Sequence, residues 1–220
     1  MGHRLSKIYT RTGDAGSTGL ADGSRVAKDS PRIAALGDLD ELNSVVGLLL
    51  TEELPEDIRL LLTGIQHDLF DLGGEMAIPG SALLNEKSVG ELEAAIDRYN
   101  ETLGPLKEFI LPGAGMPLPP TPLSKEGGDD GSRAAPAPGS GMPVSGRPVD
   151  GRAAALAHLA RSICRRAERQ LVAVATGEAI SETGRKYVNR LSDLLFVLGR
   201  SLNRSAGRGD VLWQKDRKRV

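Results

Sequence analysis

Aromatic side chains are scarce in this sequence, 3% of the whole, too few for a base-stacking platform on single-stranded nucleic acid. The core must therefore be aliphatic. Cysteine occurs once, at Cys164, which excludes an intrachain disulfide and a thiolate metal cluster and suits a reducing compartment. Charge of one sign is lacking too: 28 lysines and arginines stand against 29 acidic residues, a net charge of -1. No global field draws such a chain to nucleic acid or to an anionic membrane. No stretch reaches 18 uninterrupted apolar residues, and the opening "MGHRLSKIYT" has no apolar h-region. The expectation is a cytoplasmic protein with no membrane and no nucleic-acid partner. Two nucleotide signatures are absent as well, the Walker A loop and the G-x-G-x-x-G fingerprint.

What is present is helical periodicity. After Asp29, Ser30 and Pro31, a helix-start signal, Ile33, Leu36, Leu39, Leu42, Val46 and Leu49 recur at spacings of three and four, predicting a helix that ends near Glu53. Pro55 opens a second stripe from Ile58 to Met76, and a weaker third helix spans 89–103. Leu156, Leu159, Ile163, Ala167, Leu171 and Val174 mark a fourth, stopped by Gly177. Val188, Leu191, Leu195, Leu198 and Leu202 mark a fifth, with the seam spacing that packs at shallow angles. The expected fold is all-α, a five-helix bundle with ferritin-like up-down packing. Residues 1–29 form an N-terminal loop, 30–114 and 151–206 one helical domain, and 207–220 a tail. Residues 115–150 read as a Pro/Gly-rich disordered insertion.

Residues 7–29, "KIYTRTGDAGSTGLADGSRVAKD", have neither helical nor strand periodicity. Glycine-rich turns let backbone N–H groups approach a phosphate chain, hydroxyls add hydrogen bonds, and Lys28 offers a point charge. A plain surface loop has the same composition. In "RSICRRAERQ", Arg161, Arg165, Glu168 and Arg169 fall on one helix face, suited to a polyphosphate or to simple solvation. Asp38, Asp40 and Glu41 can bind a metal, position an arginine or flank a helix. His67 and His158 read as surface or boundary residues, and neither follows a Glu at the spacing of di-iron bundles. Cys164 reads as a packed thiol.

In order, "YTRTGDAGSTGL", "RVAKD", "GDLDELNS", "FILPG", "RSICRRAER" and "YVNRLSDLLFVLGR" closely resemble the PduO-type ATP:cob(I)alamin adenosyltransferases across nearly the whole chain outside 115–150. The resemblance implies a homotrimer of five-helix bundles with active sites at subunit interfaces, the loop coming from one subunit and the arginine helix from its neighbour. It implies transfer of the 5′-deoxyadenosyl group of ATP to cob(I)alamin, with release of triphosphate and with Mg²⁺ in attendance. Nucleotide contacts carry over to Thr10, Arg11, Thr12, Gly13, Thr18, Gly19 and Lys28, and to Arg165, Arg166, Ala167, Glu168, Arg169 and Asn189. Catalytic roles fall on Arg165 and Lys28, and on Asp40 and Arg161 as a charge pair between subunits near the corrin. Phe109 matches the aromatic set against the lower corrin face, with Trp213 as a second. This chain departs from the usual "LPGG", reading "LPGAG". No protein residue is assigned to a metal. A cobalamin reductase and an adenosylcobalamin-dependent enzyme become candidate partners. The alternative is a binding protein that senses ATP or delivers adenosylcobalamin with little turnover.

Overall fold

Ser30 and Asn85 do locally what their residue type allows, and each starts a helix. The Ser30 hydroxyl accepts from the Ile33 amide, and the Asn85 side chain accepts from the Lys87 and Ser88 amides, satisfying donors that a first helical turn leaves open. Ser181 does the same for the Gly184 amide at 3.0 Å. The computed structural model describes residues 9–117 and 151–216. In chain order these form β1 (Ser17–Gly19), β2 (Arg25–Ala27), α1 (Pro31–Leu49), α2 (Glu56–Ala77), α3 (Glu86–Asn100), β3 (Met116–Pro117), α4 (Arg152–Ala175), α5 (Glu182–Ser205) and β4 (Arg208–Gly209).

The five helices form the expected bundle. α1 packs on α2 and α4, α4 on α5, and α5 on α3. Across the middle, the Tyr187 hydroxyl of α5 donates to Asp68 of α2 at 2.8 Å. Gly184 makes that approach possible, because a Cβ there would lie 2.7 Å from Leu72. The buried apolar set is leucine, isoleucine, valine and alanine with Met76 and Cys164, and Tyr99 and Tyr187 are its rings. Tyr9, Phe70, Phe109 and Trp213 are exposed.

Three boundaries differ from the sequence-based expectation for local reasons. α1 stops at Leu49, where the Thr51 hydroxyl donates back to the Leu48 carbonyl at 2.7 Å. α3 begins at Glu86, since the Asn85 cap lies ahead of the first apolar residue. The segment expected to lack strand structure contains a hairpin, with Thr18 opposite Val26. The insertion falls outside the described residues from 118 onward, but its first residues pair: Met116 faces Gly209 and Pro117 faces Arg208.

Candidate active site

The N-terminal loop is organised by the β1–β2 hairpin. Asp22 accepts from the Ser24 amide and hydroxyl at 2.9 and 2.6 Å, closing the turn, and these bonds hold its carboxyl below its usual pKa. The Ala21 amide donates to the Ala77 carbonyl, docking the hairpin tip on the end of α2. Upstream, Arg11 adopts φ +60, a left-handed conformation that costs a non-glycine residue ~1 kcal/mol. The Thr10 and Thr12 hydroxyls lie 2.9 Å apart. Gly13 is closely packed: a Cβ there would come within 3.1 Å of Lys28 Nζ and 3.2 Å of the Ser17 carbonyl. Thr10, Arg11, Thr12, Gly19 and Lys28 are exposed, and Gly13 and Thr18 half-buried.

The arginines of α4 divide by partner. Arg165 and Arg169 are exposed, and Arg169 donates to the Arg165 carbonyl at 3.0 Å. Arg166 turns to α1, where it pairs with Asp38 at 3.0 Å and also with Glu41. Those carboxylates thus position an arginine, one of the three roles open to them. Glu168 accepts from the Asn189 side chain at 2.8 Å, and Asn189 accepts from Arg190, which also pairs with Glu93. Ala167 is 0% exposed. Its methyl sits in the core. Asp40 is exposed.

A second region surrounds Phe109. A cleft of about 580 Å³ is lined by Leu106, Lys107, Phe109, Arg161, Asp193 and Phe196, among others. The Arg161 guanidinium lies 5.4 Å from the centre of the Phe196 ring, within cation–π range. Phe109 is 79% exposed and Trp213 43%. The two stand opposite on one ribbon, since the Trp213 amide donates to the Phe109 carbonyl at 2.7 Å and Ile110 faces Leu212. Opposed residues share a ribbon face, which puts both rings on one side. Between Ile110 and Met116 lie six steps of chain, against three between Leu212 and Gly209. The "LPGAG" sequence, residues 111–115, takes up the difference as a short non-strand loop. Gly115, at φ +60, cannot carry a side chain, because a Cβ would lie 2.7 Å from the Gly209 carbonyl. The tail is anchored by Arg200, which donates to Asp210 at 2.8 Å and to the Gly104 carbonyl at 3.0 Å.

His158 differs from its expectation as a surface or boundary residue: it is 6% exposed, packed over Gly199 with its ring edge toward Phe196. Burial, with Arg161 nearby, lowers its pKa. His67 is exposed. The Cys164 thiol is buried, donates to the Val188 carbonyl, and has its pKa pushed up by burial. Sequence reasoning missed Arg25, which ties Thr12 to Ser17, and Phe196, which follows no motif and reads as another residue near the α5 seam.

Among the described residues, no hydrogen bond or ion pair joins residues 10–28 to Arg161, Arg165, Arg166 or Arg169.

The profile of the cobalamin adenosyltransferase family matches residues 8–118 and 144–202, and the chain belongs to that family. It is 52% identical to a cobalamin adenosyltransferase of Cupriavidus metallidurans over 99% of both chains. It is 39% identical to a corrinoid adenosyltransferase of Bacillus subtilis, covering 95% of this chain and 93% of that one. Among solved structures, a phenylalanine-to-histidine variant of a PduO-type ATP:corrinoid adenosyltransferase from Lactobacillus reuteri, complexed with cobalamin and ATP, superposes with a TM-score of 0.75. That match is at 30% identity and covers 95% of this chain and 97% of that one.

Proposed function

We propose that this ATP:corrinoid adenosyltransferase works at an interface, with residues 10–28 of one subunit and the α4 arginines of a neighbour closing on one ATP. The observation that carries this reading is that the loop and the α4 face each expose phosphate-suited donors, Lys28 on one and Arg165 and Arg169 on the other, with no hydrogen bond or ion pair joining them among the described residues. Thr10, Arg11, Thr12, Gly13, Thr18, Gly19 and Lys28 hold the triphosphate and ribose from the loop side. Arg165, Arg169 and the Asn189–Glu168 pair face them. Arg166 acts indirectly by fixing α4 to α1, and Ala167 by core packing. A homotrimer, as a closed ring of head-to-tail contacts, supplies such sites without leaving an unmatched end. Asp40, exposed and with no ion-pair partner among the described residues, would meet Arg161 of a neighbour.

The corrinoid sits in the Phe109 cleft, its lower face against Phe109 and Trp213. Two apolar rings there exclude water and a lower axial base, which eases formation of cobalt(I). Cobalt(I) then brings both electrons of the new bond to C5′ of ATP. The C5′–O bond breaks, its electron pair leaves with triphosphate, and the cobalt ends as an alkylcobalt(III). The chain needs no general base. It stabilises the charge gathering on the leaving group through Lys28, Arg165 and the loop amides, already in place before the reaction. Among the described residues no three His, Cys, Asp or Glu side chains gather into a metal-holding cluster. Mg²⁺ is carried by the oxygens of the triphosphate it accompanies.

No helix among the described residues is long and apolar enough to cross a membrane. In this reading the enzyme is cytoplasmic, receives its corrinoid from a reductase and passes its product to an adenosylcobalamin-dependent enzyme. Incubation with ATP and chemically reduced cobalamin, followed by absorbance, tests the reading. Adenosylcobalamin forms only with ATP present; an unchanged spectrum overturns it.

A further inference from the structure

Arg25 lies on β2, on the far side of the hairpin turn from the glycine-rich loop, and belongs to none of the expected nucleotide contacts. An exposed arginine ordinarily reaches into water. This one reaches back across the hairpin: its Nη2 donates to the Thr12 carbonyl at 2.6 Å, to the Ser17 carbonyl at 3.0 Å and to the Ser17 hydroxyl at 2.8 Å. Its Nε donates to the same hydroxyl at 3.2 Å. Among the described residues no carboxylate is paired with it, so its charge stays unneutralised beside the loop. The planar fork of a guanidinium is what allows one side chain to hold acceptors at two places in the chain.

The grip on Thr12 has a geometric consequence. The peptide bonds here are trans, and in a planar trans peptide the carbonyl and the following N–H point in opposite directions. With the Thr12 oxygen drawn to Arg25, the Gly13 N–H faces away from it, and that amide makes no backbone hydrogen bond among the described residues. The Ser17 carbonyl that Arg25 also holds lies beside Gly13, as does the Lys28 ammonium. Three groups thereby settle around one glycine: a carbonyl withdrawn, an amide presented and a cation laid alongside.

We propose that Arg25 is a positioning residue for adenosyl transfer: it orients the Thr12–Gly13 peptide so that the Gly13 N–H and Lys28 meet the triphosphate of ATP together. The proposal rests on the reading of residues 10–28 as the nucleotide loop. Arg25 itself touches neither phosphate nor corrin. Because the hairpin lies outside the buried core, its loss affects ATP recognition and little else.

The test compares Arg25→Ala, Arg25→Lys and Lys28→Ala in the full-length protein. It uses calorimetric binding of ATP, steady-state KM for ATP and for reduced cobalamin, and the urea unfolding midpoint. Arg25→Ala weakens ATP binding and raises the ATP KM about tenfold, with the corrinoid KM and the midpoint unchanged. Arg25→Lys falls between, because an ammonium cannot bridge Thr12 and Ser17 as a fork does. If Lys28→Ala weakens ATP binding while Arg25→Ala does not, the positioning role is overturned and the nucleotide loop stands. If neither variant alters ATP binding, the nucleotide-loop reading fails and the proposal with it. A fall in the midpoint with both KM values moving together assigns Arg25 to hairpin stability and also overturns the proposal.

Discussion

The bundle interior and the two non-helical margins are built by different physics. In the interior, Leu39, Leu42, Leu62, Leu194, Leu195 and their neighbours are each held by burial on all sides, a non-directional force shared among many contacts. In the margins, geometry hangs on a few directional contacts: Arg25 with Thr12 and Ser17, Arg200 with Asp210 and the Gly104 carbonyl, and the close approach of Gly115 to Gly209. The groups suited to chemistry are in or facing the margins. Stability and activity should therefore come apart under mutation, and that separation is open to measurement.

The largest expected effect is on rate. Arg165→Ala removes an exposed cation whose loss costs about a hundredfold or more in kcat, while the urea midpoint stays at the wild-type value. A matching loss of stability would break the division just drawn. In the interior the reverse holds: Leu42→Ala destabilises by ~2–5 kcal/mol in urea unfolding, and the fraction that remains folded keeps its kcat. Gly115→Ala lies between the two. It strains a left-handed residue and crowds the Gly209 carbonyl, so the ribbon carrying Phe109 and Trp213 shifts, the corrinoid KM rises several-fold and the ATP KM holds. An equal rise in both KM values would mean the ribbon does not serve the corrin alone.

The smallest effect is a pH dependence. His158 is buried and its pKa is lowered in the folded chain, so the unfolded chain binds a proton first as pH falls. Protonation then favours unfolding, and stability drops as pH goes below about 6.5, the titration range of a free histidine. Urea midpoints at neutral and mildly acid pH should show this loss, and His158→Gln should reduce it. An identical loss in the variant would place its origin in groups other than His158.

The same comparison explains what could be read from the sequence. All five helices were legible, because burial on one side writes a period of three and four into Ile33 to Leu49 or Val188 to Leu202. The hairpin was not, since Ser17–Gly19 and Arg25–Ala27 are each too short to alternate. The ribbon was not, because Ile110 and Leu212 are distant in sequence and neither flank has a strand pattern. His158 was misjudged because its burial depends on the missing side chain of Gly199, on another helix. Of the site, the loop and the arginine run were visible as motifs. Which arginine turns inward was not: Arg166 is told from Arg165 by Asp38 and Glu41, a helix away in the fold.

The claim that each active site is shared between subunits meets its most direct test in a mixture. Lys28→Ala and Arg165→Ala are prepared separately, each with little adenosylation activity, then unfolded together in equal amounts and refolded. A loop with Lys28 intact then meets an α4 with Arg165 intact at about one interface in four, and activity returns in that proportion. If each chain carried its own complete site, every site in the mixture would keep one defect, and no recovery above the two parents would contradict the account.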